Sequence, residues 1–323
     1  MARSAALLKR VGFAVLAIYL VLSATFGFMM LAQDPQVARI AYAVGHSPEA
    51  QRASFEERQE MVAQAIQRYK EAHGLDEPLH VQYVRWMIDI TTLDWGDSFH
   101  QNRKVTDIIA ASLQDTLSFV IPAILIGLIG SLTLGVYAAM NQRSMLAKLL
   151  TTGSYLGYGI PNFWLAEVLL LVGVLGIMEV VGITGQLAIY TLASFVLGLS
   201  LLAAQLRYVR AEAREYLFSE FVTLIRAKGA TNFVVGKHLL KNAALPLTSL
   251  FFSELLGVMV VNIFILERVL GITGIGYIGL RAIQEQDLPV VLGIAVIIAI
   301  LGVVGNLIQD VINMIVDPRI QVE

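Results

Sequence analysis

Residue types that could do chemistry are sparse in this sequence, and their spacing excludes most of what they could do. The five histidines, His46, His73, His80, His100 and His238, include no His-x-x-x-His pair, so no helical ligand set for a metal is present. Cysteine is absent, which removes disulfides, thiolate metal sites and thiol nucleophiles together. Neither a Gly-x-Ser-x-Gly elbow nor a Gly-x-x-x-x-Gly-Lys-Ser/Thr loop occurs, so neither a serine hydrolase motif nor a P-loop nucleotide cradle is expected. Two carboxylates remain in unusual places, because Glu167 and Glu254 each interrupt a long apolar stretch. A carboxylate in hydrocarbon is expensive and should face a water-filled cavity or a partner group. Each therefore has two readings: a group lining a solute path, or a protonated or paired acid at a subunit contact.

The elements that carry these residues are built for lipid. Hydrophobic residues make up 57% of the 323 and charged residues 15%, with a mean hydropathy of +0.70, whereas soluble domains carry about 25% charged residues. A net charge of -2 argues against nucleic acid as a partner. A helix needs about 20 apolar residues to cross a membrane. Six stretches qualify, near Val11–Ala32, Leu117–Met140, Tyr155–Met178, Leu187–Leu206, Leu245–Leu266 and Leu288–Ile308. The first is too long for a cleaved signal sequence and lacks a clear small-x-small site, so it reads as a retained span. The fold class is thus an all-α integral membrane protein. No histidine falls within a span, which argues against an intramembrane protease. A stand-alone secondary transporter or channel would favour internal repeats and more intramembrane ionisable groups, and no repeat is evident.

Arg and Lys in short loops orient the chain. Arg3, Lys9 and Arg10, then Arg143 and Lys148, then seven cations between Arg207 and Lys241 all fall on one face if there are six spans. Both termini are therefore expected in the cytoplasm. Three parts follow: residues 1–32 as a tail and first span, 33–116 as an outer loop, and 117–323 as a five-helix core with a cytoplasmic loop at 207–245. The outer loop carries its own helix signals. Ser54 and Glu57 read as a capping box, Gly74 as a stop, and Pro78 as the opening of a second helix bearing Leu79, Tyr83 and Trp86. In the cytoplasmic loop, Phe221, Leu224, Ile225, Val234, Val235 and Leu239 have amphipathic spacing, and Gly229 breaks it. A helix–break–helix there suits a docking element for a soluble partner; a basic segment resting on anionic lipid is the alternative.

That loop reads Glu220-Phe221-Val222-Thr223-Leu224-Ile225-Arg226-Ala227-Lys228-Gly229, followed by His238, Lys241, Asn242 and Pro246. It resembles the EAA loop of ABC importer permeases, and more narrowly that of the dipeptide, oligopeptide and nickel permease family. Other stretches agree: Gly74 to Leu79 with Gln82, Tyr83 and Trp86; Asp94 to Ser98; Gly159 to Trp164; Glu267 with Gly274 to Gly276; Gln286 to Pro289; and Asn306 to Asp310 with Asp317 to Arg319. The long loop after the first span resembles the dipeptide-permease B type. The chain departs from the family pattern at Ile225, Asn262, Thr273 and Gln286, and the loop between spans three and four is short.

The resemblance implies a type I importer permease core (MetI-like) that binds no cofactor itself. ATP and Mg would sit on a pair of partner ABC ATPases docking on Glu220, Arg226, Ala227, Lys228, Gly229, His238 and Asn242. It further implies a second homologous permease, an extracytoplasmic solute-binding protein and a plasma-membrane location. The cargo would be peptides or similar small solutes. Glu167, Glu254 and Asn262 are the candidate pathway residues, with one of the acids meeting the ammonium of a peptide.

Overall fold

Away from water a backbone satisfies its own polar groups most simply by helix formation, and the long apolar runs duly form long helices. The computed structural model describes residues 2–31, 34–240 and 261–316. Among these residues helices dominate, and the β pairing is an isolated bridge between Asp97 and Lys104. Four helices are long and apolar enough to cross a membrane: Ala2–Leu31, Val105–Met140, Gly185–Leu217 and Leu288–Val316. Two bent pairs raise the number to six if each is one crossing. One is Asn162–Leu171 with Val174–Val180, bent by 64°; the other is Val261–Leu270 with Ile275–Glu285, bent by 86°.

Several helices run past the expected edges of the spans or break within them. The second span begins at Val105, in the stretch expected to be outer loop, and runs unbroken through Pro122. The third is broken into Met145–Gly159, Asn162–Leu171 and Val174–Val180. Pro161 precedes the second piece, where its missing N–H costs nothing, and Gly173 at φ 77° separates the last two. The fourth span continues to Leu217, so the first third of the expected cytoplasmic loop is helix. Most of the fifth stretch lies outside the described residues.

The chain divides into two compact units, Met1–Ala14 with Ala111–Ile278 and Gly302–Glu323, and Val15–Ala110 with Gly279–Leu301. In the first, Phe119, Ala123, Leu192, Val196, Leu197 and Leu266 form a buried core. Gly198 lets its helix lie against Ile126, where an added Cβ would come within 2.9 Å of that side chain. Small residues at such crossings permit close packing of membrane helices. Within the same unit Arg10 forms an ion pair with Asp310.

The second unit holds four helices of the outer loop: Pro35–Gly45, Pro48–Arg52, Phe55–Ala72 and Leu79–Thr91. The last two match the sequence expectation. The Ser54 hydroxyl accepts the Glu57 N–H, and the Glu57 carboxylate accepts the Ser54 N–H at 2.8 Å. These bonds from Ser54 hold the Glu57 carboxyl below its usual range. After His73, Gly74 at φ 63° closes the helix as expected. The first two helices were missed, although Asp34-Pro35 and Ser47-Pro48 each supply a capping side chain followed by proline. Tyr69 donates to Asp34 at 2.9 Å, and burial followed by that carboxylate pushes the phenol up.

Trp86 and Tyr83 pack on Phe26, at 5.7 and 5.3 Å between ring centroids, whereas Leu79 stays exposed. Leu22, Ile90 and Val296 form the buried centre of this unit. Buried Asp287 accepts Ser98 Oγ at 2.5 Å and the Phe99 N–H at 3.2 Å. The Asp94–Ser98 and Gln286–Pro289 stretches thus meet in space.

Candidate functional site

The expected coupling segment folds as a hairpin of two short helices. Phe218 caps the end of Gly185–Leu217, and Ser219 then starts the next helix by accepting the Val222 N–H. Glu220 falls in the first turn and Arg226 in the last, which complements the helix dipole at both ends. The helix closes after Lys228. The Gly229 N–H donates to Arg226 O at 2.9 Å and the Ala230 N–H to Ile225 O at 3.0 Å, the paired bonds of a Schellman motif. Gly229 is required for its φ of +84° rather than for close approach, since nothing lies within 4 Å of an added Cβ. A second helix follows over 232–240, with the Val235 N–H bonded to Thr231 O.

One face of the hairpin is buried. Val222, Val235 and Leu239 pack with Val136, Ala139, Val209 and Ala213, and Ile225 and Ala230 pad the edge. These residues fix the hairpin on the ends of Val105–Met140 and Gly185–Leu217. The other face is apolar yet open: Phe218, Phe221, Leu224 and Phe233 are 76, 46, 54 and 82% exposed. Glu220, Arg226, Ala227, Lys228 and Gly229 are also exposed, and half-buried His238 meets the edge of Phe221 at 5.4 Å. The structure therefore brings these six expected residues together on one hairpin. Asn242 lies outside the described residues.

Two of the three candidate pathway residues lie among the described residues. Glu167 is exposed on Asn162–Leu171, and Asn262 is half-buried on Val261–Leu270; Glu254 lies outside the described residues. Among the described residues of this unit, a different carboxylate is buried. Glu267 has no exposed surface; it accepts Thr116 Oγ1 at 2.6 Å and the Tyr277 N–H at 2.9 Å. Thr116 in turn accepts the Ile275 N–H at 2.9 Å. The carboxylate thus serves the first N–H groups of the helix after the break, where negative charge is favourable. Gly274 is needed there, because an added Cβ would stand 2.1 Å from Glu267 Oε1. Nearby, Asp115 accepts Tyr190 Oη and Thr273 Oγ1, both at 2.7 Å. The spacing of Glu267 to Gly274 and Gly276 was legible as a motif, but its role was not: the partner Thr116 is remote in sequence.

Four to six candidate spans and a packed hairpin with an open apolar face define, as a class, a multi-span helical membrane protein. Residues 131–322 match the binding-protein-dependent transport system inner membrane component family, and the chain belongs to that family. The oligopeptide transport system permease protein AppB of Bacillus subtilis is 31% identical over 79% of this chain and 84% of its own length. The dipeptide transport system permease protein DppB of Lactococcus lactis is 27% identical over 98% of both chains. The metal-staphylopine import system permease protein CntB of Staphylococcus aureus is 27% identical over 81% of this chain and 83% of its own. The chain is therefore a non-catalytic permease subunit of an ATP-driven importer, working within an ABC transporter complex as a multi-pass plasma-membrane protein.

Proposed function

We propose that this chain forms half of the translocation pathway for peptides or similar small solutes, beside a second homologous permease. Two cytoplasmic ABC ATPases carry the ATP and Mg, this chain binding neither, and an extracytoplasmic binding protein delivers the cargo. The observation that carries the reading is the helical hairpin over 220–240. Its inner face is locked to two spans, and its outer face offers exposed Phe221, Leu224 and Phe233. An exposed apolar patch of this kind fits a protein contact. A rigid element seated in an ATPase can convert nucleotide-driven closure into movement of the spans, because binding biases an equilibrium that both sites share. Relatives named for oligopeptides and dipeptides support the cargo class. The Arg10–Asp310 pair supports placing both termini on one side, and the loop charges support the cytoplasmic side.

Extraction of the tagged chain in mild detergent, with mass spectrometry of what accompanies it, tests this. The native chain should bring down a second permease and an ATPase. A variant carrying Gly229→Pro and Glu220→Lys should lose the ATPase and keep the permease. Recovery of the native chain alone, under conditions that preserve other complexes, would point to a stand-alone transporter and reduce the hairpin to a lipid-surface element.

A further inference from the structure

One cation, set against aromatic rings, has no use in the account above. Arg207 follows directly on the apolar run 187–206. Its guanidinium lies over the Tyr158 ring, 4.0 Å from the centroid, with the Tyr155 ring at 5.5 Å. Its Nε is buried without a hydrogen-bond partner, and so is that of Arg210 one turn further on. Among the described residues the ion pairs use Arg10, Arg85, His100 and Arg281, and none uses Arg207 or Arg210. A guanidinium seated on an aromatic ring, half-buried and drawn into no ion pair among the described residues, can offer its terminal amino groups to an oxyanion as a pair of hydrogen bonds.

The helix beneath it indicates which oxyanion. Met145–Gly159 presents two unlike exposed faces. Lys148, Thr152 and Tyr155 recur four and three residues apart as a polar stripe, whereas Leu149, Leu156 and then Ile160 line a separate apolar one. An apolar stripe of this kind suits lipid or a neighbouring helix, and a polar stripe suits water. Tyr155 belongs to the polar stripe, and Arg207 lies beside it. Ser200, seven residues before Arg207 and on the same face of its helix, is also partly exposed.

We propose that Arg207, seated on Tyr158 and flanked by Tyr155, is an oxyanion-binding point on the solute path that takes the carboxylate of a passing peptide. This rests on the peptide reading given above. The polar stripe favours cargo over the phosphate of a membrane lipid, which shares the same chemistry.

The test is uptake into proteoliposomes by the complete transporter, with its binding protein, of a labelled peptide and of the same peptide as its C-terminal amide. Native chain, Arg207→Gln and Arg207→Lys are compared, and phospholipid retained by each purified complex is measured by mass spectrometry. Arg207→Gln should lower uptake of the free acid about tenfold, as for loss of one charge-assisted contact. Uptake of the amide should be unchanged, which also shows that the variant folds, and Arg207→Lys should recover part of the loss. An unchanged acid-to-amide ratio in Arg207→Gln overturns the proposal. If bound phospholipid is lost in that case, the site belongs to a lipid phosphate. Native transporter that imports neither form refutes the peptide reading, and this proposal with it. Native transporter that imports both, with the variant's ratio unaltered, refutes the role of Arg207 alone.

Discussion

Two sharp breaks in the helical core are made the same way and serve opposite ends. At Gly229 and at Gly271 a helix stops on a glycine with positive φ, and the next N–H reaches back five residues: Ala230 to Ile225, and Ile272 to Glu267, each at 3.0 Å. Beyond that the surroundings diverge. Nothing lies within 4 Å of an added Cβ at either turn glycine, Gly229 or Gly271, and around the first Phe221 and Leu224 are turned outward. Just past the second, Glu267 and Thr116 fill the space at Gly274 and Phe264 fills it at Gly276, leaving no room for a Cβ at either. The local turn chemistry ends a helix in both cases, but its neighbours decide its use. One break leaves an apolar surface open; the other fixes the direction of the chain inside the protein.

The difference can be broken most severely at Gly274. Gly274→Ala should drive a methyl into Glu267 and Thr116, an overpacking cost of about 1–3 kcal/mol or more. The expected readout is loss of the monodisperse peak in detergent size-exclusion chromatography; a native-like peak and melting point would contradict a filled break. Next, Leu224→Asp on the open hairpin should leave that peak intact and cut ATPase recovery at least about tenfold, as for loss of a buried contact at an interface centre. An equal fall in both readouts would mean that the outer face is structural.

Smaller again is Gly229→Ala, which meets no neighbour but must adopt a φ of +84°, at about 1–2 kcal/mol. Coupled ATPase activity should fall partly, and Gly229→Asn should fall less, since asparagine tolerates this region better. An alanine variant as severe as Gly274→Ala would erase the contrast between the two breaks. The smallest effect is expected in the outer loop. The Glu57 carboxyl is held low in the folded state by its bonds to Ser54. Its contribution is therefore present above the ordinary carboxylate pKa of about 4.3 and is lost as pH falls through the lower folded value. Hydrogen exchange over Phe55–Ala72 should quicken on acidification in the native chain. Glu57→Gln should show less of that pH dependence.

Much of this was legible in one dimension because the signals are local. A capping box needs only residues 54 to 57, and a glycine stop needs only the turn before it; Ser54, Gly74 and Gly229 act as their spacing indicated. Long apolar runs give spans because lipid leaves a backbone no alternative, and the order of cations along the chain suggests an orientation. The sequence also carried the Glu220–Gly229 signature, since its helix, closing turn and exposed apolar residues lie within ten consecutive positions. Tertiary structure alone decided that Glu267 is buried and Glu167 is not. Glu167 stands out by its apolar neighbours yet is exposed on this chain, while Glu267 is sealed in by Thr116, 151 residues away in sequence. Likewise Arg207 reads as one more interfacial cation until Tyr158 is seen beneath it. Burial and partnership are properties of packed neighbours distant in sequence, and no local pattern specifies them.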